Sequence, residues 1–238
     1  MFNRMNLIRR IYYVLVSQIL VSLARARTSH RYAAPIRQDR IVWISPTEIV
    51  QKPTHKPPTN ILPYKLVVDG DWDQDRSPIE DDPVYSAFYK RFIEQEPWKS
   101  TGYIDFLKTD ISVHGGLSCE EAIARCDEID VLARYIRDNG YGSQRTLERE
   151  DELIDRLCDR KLPPEYREIS VSIARDGSFL WHAGMHRLVL AKLFNVEQIP
   201  VRINARHRQW QAIRDSVWMN QDDGTYHDHP DIEYLYDD

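Results

Sequence analysis

Alternating hydrophobic and polar residues predict β-strands in three parts of the chain. Residues 40–49 (RIVWISPTEI) alternate and are rich in β-branched side chains, with a turn at Ser45-Pro46. Residues 169–173 (ISVSI) place an Ile-Val-Ile row on one face of a strand. Residues 199–203 (IPVRI) predict a closing strand.

Helical periodicity and capping residues predict five helices. The longest covers residues 118–139: Ser118 and Glu121 form a capping box at its start, and Asn139-Gly140 ends it. Its expected apolar face consists of Ile123, Cys126, Ile129, Ala133 and Ile136. A helix over residues 83–94 has an apolar stripe of Val84, Phe88 and Ile93. The others are predicted at residues 147–159, 185–194 and 204–218.

The segment between the second and third predicted strands has the strongest local signals. Asp176-Gly177 is a hairpin turn that reverses the chain into a strand around residues 179–181. Gly184 then leads into the helix at residues 185–194, which Asn195 caps at its carboxyl end. A strand–hairpin–strand–helix–strand unit follows from these signals.

Length and composition indicate one substantial globular domain with two atypical ends. The chain has 238 residues, of which 42% are hydrophobic and 29% charged. We expect a basic amphipathic N-terminal helix and linker at residues 1–38, a domain at residues 39–218, and an acidic tail at residues 219–238 that is mobile unless it docks. Within the domain, prolines predict a linker at residues 51–63, followed by a short strand near residues 64–68.

Charge and cysteine content narrow the function classes. The net charge of −5, from 32 Lys+Arg against 37 Asp+Glu, argues against a protein that coats nucleic acid. The three cysteines include no CxxC pair, so no zinc site is predicted and a reducing compartment is expected. The DGDWD cluster at residues 69–73 lacks the spacing of a calcium loop and is interpreted as a turn anchored by a buried Trp72.

The N-terminal segment leaves three alternatives open. Residues 11–24 are apolar but interrupted by polar side chains, and arginines flank them on both sides. A basic helix lying on an anionic membrane surface fits this pattern, as do a helix packed on the domain and a signal or membrane-spanning segment. The expected location is cytoplasmic, with peripheral association at the inner face of the membrane if residues 1–30 bind lipid.

The glycine turn before residues 185–194 predicts an anion-binding site. The first amides of a helix have no intrahelical acceptor, and the helix dipole attracts negative charge to them. Gly184 allows a ligand to approach the backbone, Arg187 offers a two-pronged grip on phosphate, and His186 can donate a hydrogen bond or move a proton. The structural alternative is that the glycine only turns the chain and Arg187 pairs with an acid.

Residues 176–203 (DGSFLWHAGMHRLVLAKLFNVEQIPVRI) resemble the core motif of the ParB/sulfiredoxin superfamily: a glycine turn, a stretch ending in arginine, an alanine-containing helix and an "IPV" strand. Residues 41–49 resemble the opening strand of that family, and residues 129–140 its helix-then-glycine stretch. The resemblance implies an α+β fold with a mixed sheet surrounded by helices. It implies nucleotide binding as the shared activity.

The branches of that superfamily differ in the residues around the glycine. Met185 stands where sulfiredoxins carry their reactive cysteine, which excludes that chemistry, and nothing after residue 203 resembles the DNA-binding domain of ParB proteins. The free-serine kinases carry Asp-Gly-His-His-Arg, and residues 183–187 (AGMHR) keep only the glycine, one histidine and the arginine. This comparison therefore supports phosphate binding more strongly than catalysis.

The leading interpretation is a nucleotide-binding protein of this type, an ATP-dependent phosphotransferase acting on a small hydroxyl compound. ATP or another nucleotide, accompanied by Mg²⁺, would bind at residues 184–187 (Gly184, Met185, His186 and Arg187), and Glu48 and His186 would be the catalytic pair. His114 and His182 are further candidate bases. A non-catalytic nucleotide-sensing adaptor at a membrane surface and a ParB-like DNA-associated module stay open as alternatives, the latter through Arg202, Arg206, His207 and Arg208.

Overall fold

The computed structural model describes residues 30–37, 40–57, 66–109, 116–150, 164–222 and 224–236. The predicted N-terminal helix, His114 and most of the helix predicted at residues 147–159 lie outside these ranges. Within them, the chain forms one mixed sheet with helices around it, so the prediction of an α+β mixed-sheet fold is confirmed at that level.

The sheet has seven strands in the order β1-β7-β5-β6-β2-β4, and β3 also pairs with β7. These strands are β1 Ile41–Ile44, β2 Gln51–Pro53, β3 Val67–Val68, β4 Arg76–Pro78, β5 Ile169–Ile173, β6 Phe179–Ala183 and β7 Ile199–His207. β5 runs antiparallel to β6 and parallel to β7, so the hairpin predicted at Asp176-Gly177 is confirmed. The strand β2 lies inside the stretch predicted to be a linker, which is a correction: it pairs with β4 and β6.

Eight α-helices lie in the described ranges: α1 Pro83–Phe92, α2 Trp98–Thr101, α3 Tyr103–Thr109, α4 Cys119–Asn139, α5 Gln144–Glu150, α6 Met185–Leu193, α7 Arg208–Trp218 and α8 Pro230–Glu233. The capping box at Ser118 and Glu121 is confirmed at the start of α4. Two residues predicted on apolar faces are exposed, Ile93 at the end of α1 and Ile123 in α4. Neither position therefore contributes to the core.

The main core lies between one face of the sheet and α6. Ile169, Val171 and Ile173 point to this side, as predicted, and pack in the same cluster as Leu188 and Val189 of α6. The intervening serines of β5 are also buried, since the second face of the sheet is covered too. A strand that alternates in sequence is therefore enclosed on both sides.

The third predicted strand is longer than expected, and the helix after it starts later. β7 runs to His207, so residues 204–207, predicted to be helical, are strand. Their backbone pairs with Val67 and Val68 on one side and with the end of β5 on the other. Ladder hydrogen bonds with two neighbours outweigh local helix preference here. His207 then caps α7 by accepting a hydrogen bond from the backbone N–H of Gln209, at 3.1 Å.

The acidic tail docks on the domain. Asp231 in α8 is buried and accepts hydrogen bonds from Arg206 of β7 and from Trp210 of α7. Ile232 and Leu235 join the main core. The tail was predicted to be mobile only if it did not dock. It does dock over residues 224–236, so mobility is not expected there.

The turn at residues 69–73 is anchored as expected by a buried Trp72. Asp73 is fully buried, and its carboxylate accepts hydrogen bonds from both the backbone N–H and the guanidinium of Arg175, while Asp71 binds the same guanidinium. These carboxylates are thus used as arginine partners.

In the described ranges, none of the helices has the length and apolar character needed to cross a membrane.

Candidate functional site

The chain bends sharply between β6 and α6, at a position that favours glycine. Gly184 has φ 89° and ψ 35°, in the left-handed region that costs other residues about 1 kcal/mol or more. A Cβ atom at this position would lie 3.1 Å from the Cα atom of Ile169 and 3.2 Å from its Cγ1 atom, so β5 would have to move slightly to admit it. Both the backbone angles and the space against β5 therefore disfavour other residues here.

The bend leaves the amino end of α6 without a side-chain cap in the described part of the chain. The first hydrogen bond of the helix is donated by Leu188 to the carbonyl of Gly184, at 3.1 Å. Ala183, immediately before the bend, is exposed, and Met185 is buried in the core. We call residues 184–187 the α6 junction; its backbone is the part that can meet an anion.

Arg187 folds back against this bend. Its Nη2 atom lies 3.5 Å from the Cβ position of Gly184. The guanidinium donates hydrogen bonds to the hydroxyl of Tyr141, at 3.1 Å, and to the carbonyl of Arg167. Its Nη1 atom is 3.8 Å from Oε2 of Glu168, and the side chain is 17% exposed. The arginine is therefore held at the junction by these groups, and its approach to Glu168 is the pairing with an acid that was its structural alternative.

Glu168 is the acid of this site, and the sequence analysis did not single it out. It immediately precedes β5, the strand against which Gly184 packs. The backbone N–H of Gln144 donates to its Oε1 atom at 2.6 Å, whereas Oε2 has no hydrogen-bond partner among the described residues. Burial raises its pKa to about 7, although the Gln144 hydrogen bond and the nearby arginines act in the opposite direction. Its position directly before a predicted strand was the only available signal, and burial could not be read from it.

His186 and Arg187 are neighbours in sequence but contact different parts of the protein. The Nε2 atom of His186 is 2.7 Å from the hydroxyl of Tyr103, and its Nδ1 atom is 3.4 Å from a guanidinium nitrogen of Arg125. The ring also stacks on Phe88. The side chains of His186 and Arg187, predicted to act together at a phosphate, therefore point in different directions from the first turn of the helix.

Glu48 and His182, two candidate bases, lie in different surroundings. Glu48 is exposed in the short 3₁₀ turn after β1, where its Oε1 atom accepts a hydrogen bond from the backbone N–H of Ser45 at 2.9 Å. It thus forms a capping box with Ser45, which is a structural role at the start of a helical turn. His182 lies near Asn204, and burial together with the charges of Lys56 and Arg202 lowers its pKa to about 4. The histidine is therefore neutral at pH 7.

The basic residues of β7 do not form the exposed surface expected for nucleic-acid binding. Arg206 and His207 are 4% and 1% exposed, which contradicts that interpretation for both. Arg206 is paired with Asp231, and Arg208, which is exposed, is paired with Asp69. In the extended part of β7, the side chains of Arg206 and His207 are therefore directed inward.

A groove beside α7 and α8 is also arginine-rich, but its charges are used internally. Arg206 and Arg214 both bind Asp231 there. Among the described residues, no three histidine, cysteine or acidic side chains gather as metal ligands. The α6 junction is therefore the part of the described chain where the predicted site residues and an uncapped helix coincide.

Comparisons with protein-family models, with curated proteins and with solved structures find no match.

Proposed function

We propose that this protein binds a phosphate-bearing ligand, a nucleotide in the first instance, at the α6 junction. The observation that carries the proposal is the uncapped amino end of α6 at Gly184, with a guanidinium nitrogen of Arg187 3.5 Å from the Cβ position of that glycine. Helix amides and an arginine fork are the two donors that most often hold phosphate oxygens. The resemblance of residues 176–203 to nucleotide-binding proteins supports the same ligand.

Glu168 makes this binding depend on pH. When ionised, its carboxylate offsets the charge of Arg187 at 3.8 Å, and when protonated it leaves that charge to the ligand. Because its pKa is about 7, affinity for phosphate is expected to rise as the pH falls through neutrality. The ligand's own second ionisation, near pH 6 for a phosphate ester, opposes this trend at lower pH.

Transfer of the phosphoryl group to a small hydroxyl compound is the catalytic form of the proposal. Within this site, Glu168 is better placed than Glu48 to accept the proton of an attacking hydroxyl, since it lies beside Arg187 and its pKa is near neutral. Magnesium would be held mainly by the phosphates, as is usual for this ion. Positioning and charge neutralisation would supply most of the rate enhancement.

Binding without transfer is the second candidate function. Three observations favour it: Ala183 stands where the resembling kinases have aspartate, Glu48 is engaged in a cap, and His186 is held by Tyr103 and Arg125. A nucleotide-sensing adaptor needs only the binding half of the site. Tethering of such an adaptor by residues 1–30 at an anionic membrane stays a prediction, which a fusion of these residues to a fluorescent protein tests by its distribution in cells.

Calorimetric titration of the full chain with ATP, ADP and CTP tests the proposal. We expect at least one of them to bind, and Arg187→Gln to weaken binding roughly ten-fold or more, as for the loss of a hydrogen bond to a charged group. Arg208→Gln, at an exposed arginine distant from the junction in the fold, is the matched control. Absence of binding by all three nucleotides at millimolar concentration would defeat the proposal, and turnover with a panel of hydroxyl acceptors separates the two candidate functions.

A further inference from the structure

The second face of the sheet, opposite α6, contains buried polar groups that none of the described residues satisfies. Ser170 and Ser172 of β5 point away from the core row of Ile169, Val171 and Ile173. They are 2% and 0% exposed, and neither hydroxyl has a hydrogen-bond partner among the described residues. Buried hydroxyls normally find a partner, because an unsatisfied one costs about 1–3 kcal/mol.

An arginine on the adjacent strand is unsatisfied in the same way. Arg202 of β7 is the register partner of Ser170. Its Nε atom is buried without a hydrogen-bond partner, and in the described part of the chain no acidic side chain forms an ion pair with it. Its guanidinium lies 5.1 Å from the ring centre of Tyr166, a contact that leaves the donor directions in the plane unused.

Three more side chains complete this group. His182 of β6 lies 3.4 Å from the side-chain nitrogen of Asn204, two residues after Arg202 on β7. Lys56, after β2, lies at the exposed rim, with its Nζ atom 4.9 Å from the ring centre of Trp181. We call Lys56, Ser170, Ser172, His182, Arg202 and Asn204 the second-face cluster.

In the described part of the chain, no carboxylate balances the positive charges of Lys56 and Arg202. The pKa values of Lys56, His182 and Arg202 are all lowered, first by desolvation and, for Lys56 and His182, also by neighbouring cations. Among the described residues no carboxylate contributes to any of these three shifts, and only Tyr166 acts in the opposite direction, on Arg202. Partly buried charge without a counter-ion is unfavourable, so an arrangement of this kind indicates that the counter-ion is a ligand.

We propose that the second-face cluster is a binding site for a phosphate-class oxyanion, separate from the α6 junction. A tetrahedral oxyanion accepts several hydrogen bonds at once, which suits a guanidinium, two hydroxyls and an ammonium group. The oxyanion is either a free phosphate ion or the phosphoryl group of a larger ligand, and the test distinguishes the two.

The experiment is calorimetric titration of the full chain with inorganic phosphate. Wild-type protein is expected to bind phosphate, with affinity falling roughly ten-fold or more in Arg202→Gln, and roughly three- to ten-fold in Ser172→Ala. In the absence of phosphate, Ser172→Ala is expected to melt at the wild-type temperature or above, because it removes an unsatisfied hydroxyl. A serine with a purely structural role would give the reverse: a lower melting temperature and unchanged binding.

Controls separate this site from the α6 junction and identify the source of the anion. Arg187→Gln is expected to retain phosphate binding at the cluster, and Arg208→Gln to bind as wild type does. If Arg202→Gln weakens ATP binding as well as phosphate binding, the anion is part of a nucleotide; if it weakens phosphate binding alone, the anion is free. Where Arg202→Gln does not fold, Lys56→Gln at the exposed rim replaces it. No phosphate binding at millimolar concentration, or equal binding by wild type and both cluster variants, overturns the proposal.

Discussion

The buried ion cluster that fixes the tail gives the largest expected effect of a single substitution. Asp231 is 2% exposed and accepts from Nε of Arg206 at 2.9 Å and from Nε1 of Trp210 at 2.9 Å, with Nε of Arg214 at 3.1 Å. Asp231→Asn keeps the shape but removes the only negative charge that these contacts bring to the two buried arginines. Breaking a buried pair in this way costs about 3–5 kcal/mol, because the remaining charges are left uncompensated.

That loss is a large part of the stability of a domain, which is about 5–15 kcal/mol. Urea unfolding followed by circular dichroism measures it, with Asp228→Asn, an exposed carboxylate in the same tail, as the control. The arginines hold the pKa of Asp231 well below its ordinary value, so its stabilising contribution is present above about pH 4 and is lost as the pH falls further. A loss below about 1 kcal/mol relative to the control, the range of ordinary exposed pairs, would refute this account of the tail.

Three further substitutions or treatments have defined outcomes. Gly184→Ala should lower the free energy of unfolding by about 1–2 kcal/mol from the left-handed backbone alone, and should weaken nucleotide binding in the same titration; an unchanged urea midpoint would contradict the required bend. Because the pKa of Glu168 is raised to about 7, this carboxyl contributes stability at about pH 4.5 and below that is lost as the pH rises to about 7, whereas His182, whose pKa is lowered to about 4, contributes in the opposite direction. The difference in stability between wild type and Glu168→Gln should therefore shift against the wild type as the pH rises from about 4.5 to about 7, and a constant difference would show that Glu168 is not protonated in the folded state. Cys126 is 2% exposed, and burial raises its pKa to about 11. In a Cys158→Ser background, iodoacetamide should therefore modify the exposed Cys119 much faster than Cys126. Equal rates of modification of the two cysteines by mass spectrometry would contradict this.

The strand–hairpin–strand–helix–strand unit could be predicted because its signals are local. Asp176-Gly177 specifies a turn through its own backbone preferences, and Gly184 marks a bend that other residues resist. The capping box at Ser118 likewise needs only residues three positions apart. Each of these elements lies where the sequence predicted it, to within a few residues.

The errors arose where distant segments decide the structure. The end of β7 is strand because residues 67–68 and β5 pair with it, and no local pattern in residues 204–207 reveals those neighbours. Ser170 and Ser172 have the polar positions of a half-exposed strand, yet both are buried, since the second face is covered. Burial of this kind is a tertiary property.

The structure brings only some of the predicted site residues together. Gly184 and Arg187 lie together at the bend, as the anion-site prediction required, whereas His186 is directed toward Tyr103 and Arg125. Glu168 reaches Arg187 from a segment twenty residues earlier in the chain, a contact that spacing along the sequence does not indicate. The structure therefore places Glu168, an acid with a pKa near 7, beside Arg187, and it directs His186 elsewhere.

Binding of phosphate by the backbone at the amino end of α6 can be observed residue by residue. The experiment is titration of ¹⁵N-labelled protein with ATP, followed by amide NMR. We predict that the amide resonances of residues 184–187 shift strongly and saturably, and that the shifts are reduced in Arg187→Gln. Saturable shifts elsewhere, with these four resonances unmoved, would show that the nucleotide binds at another place and would contradict the account.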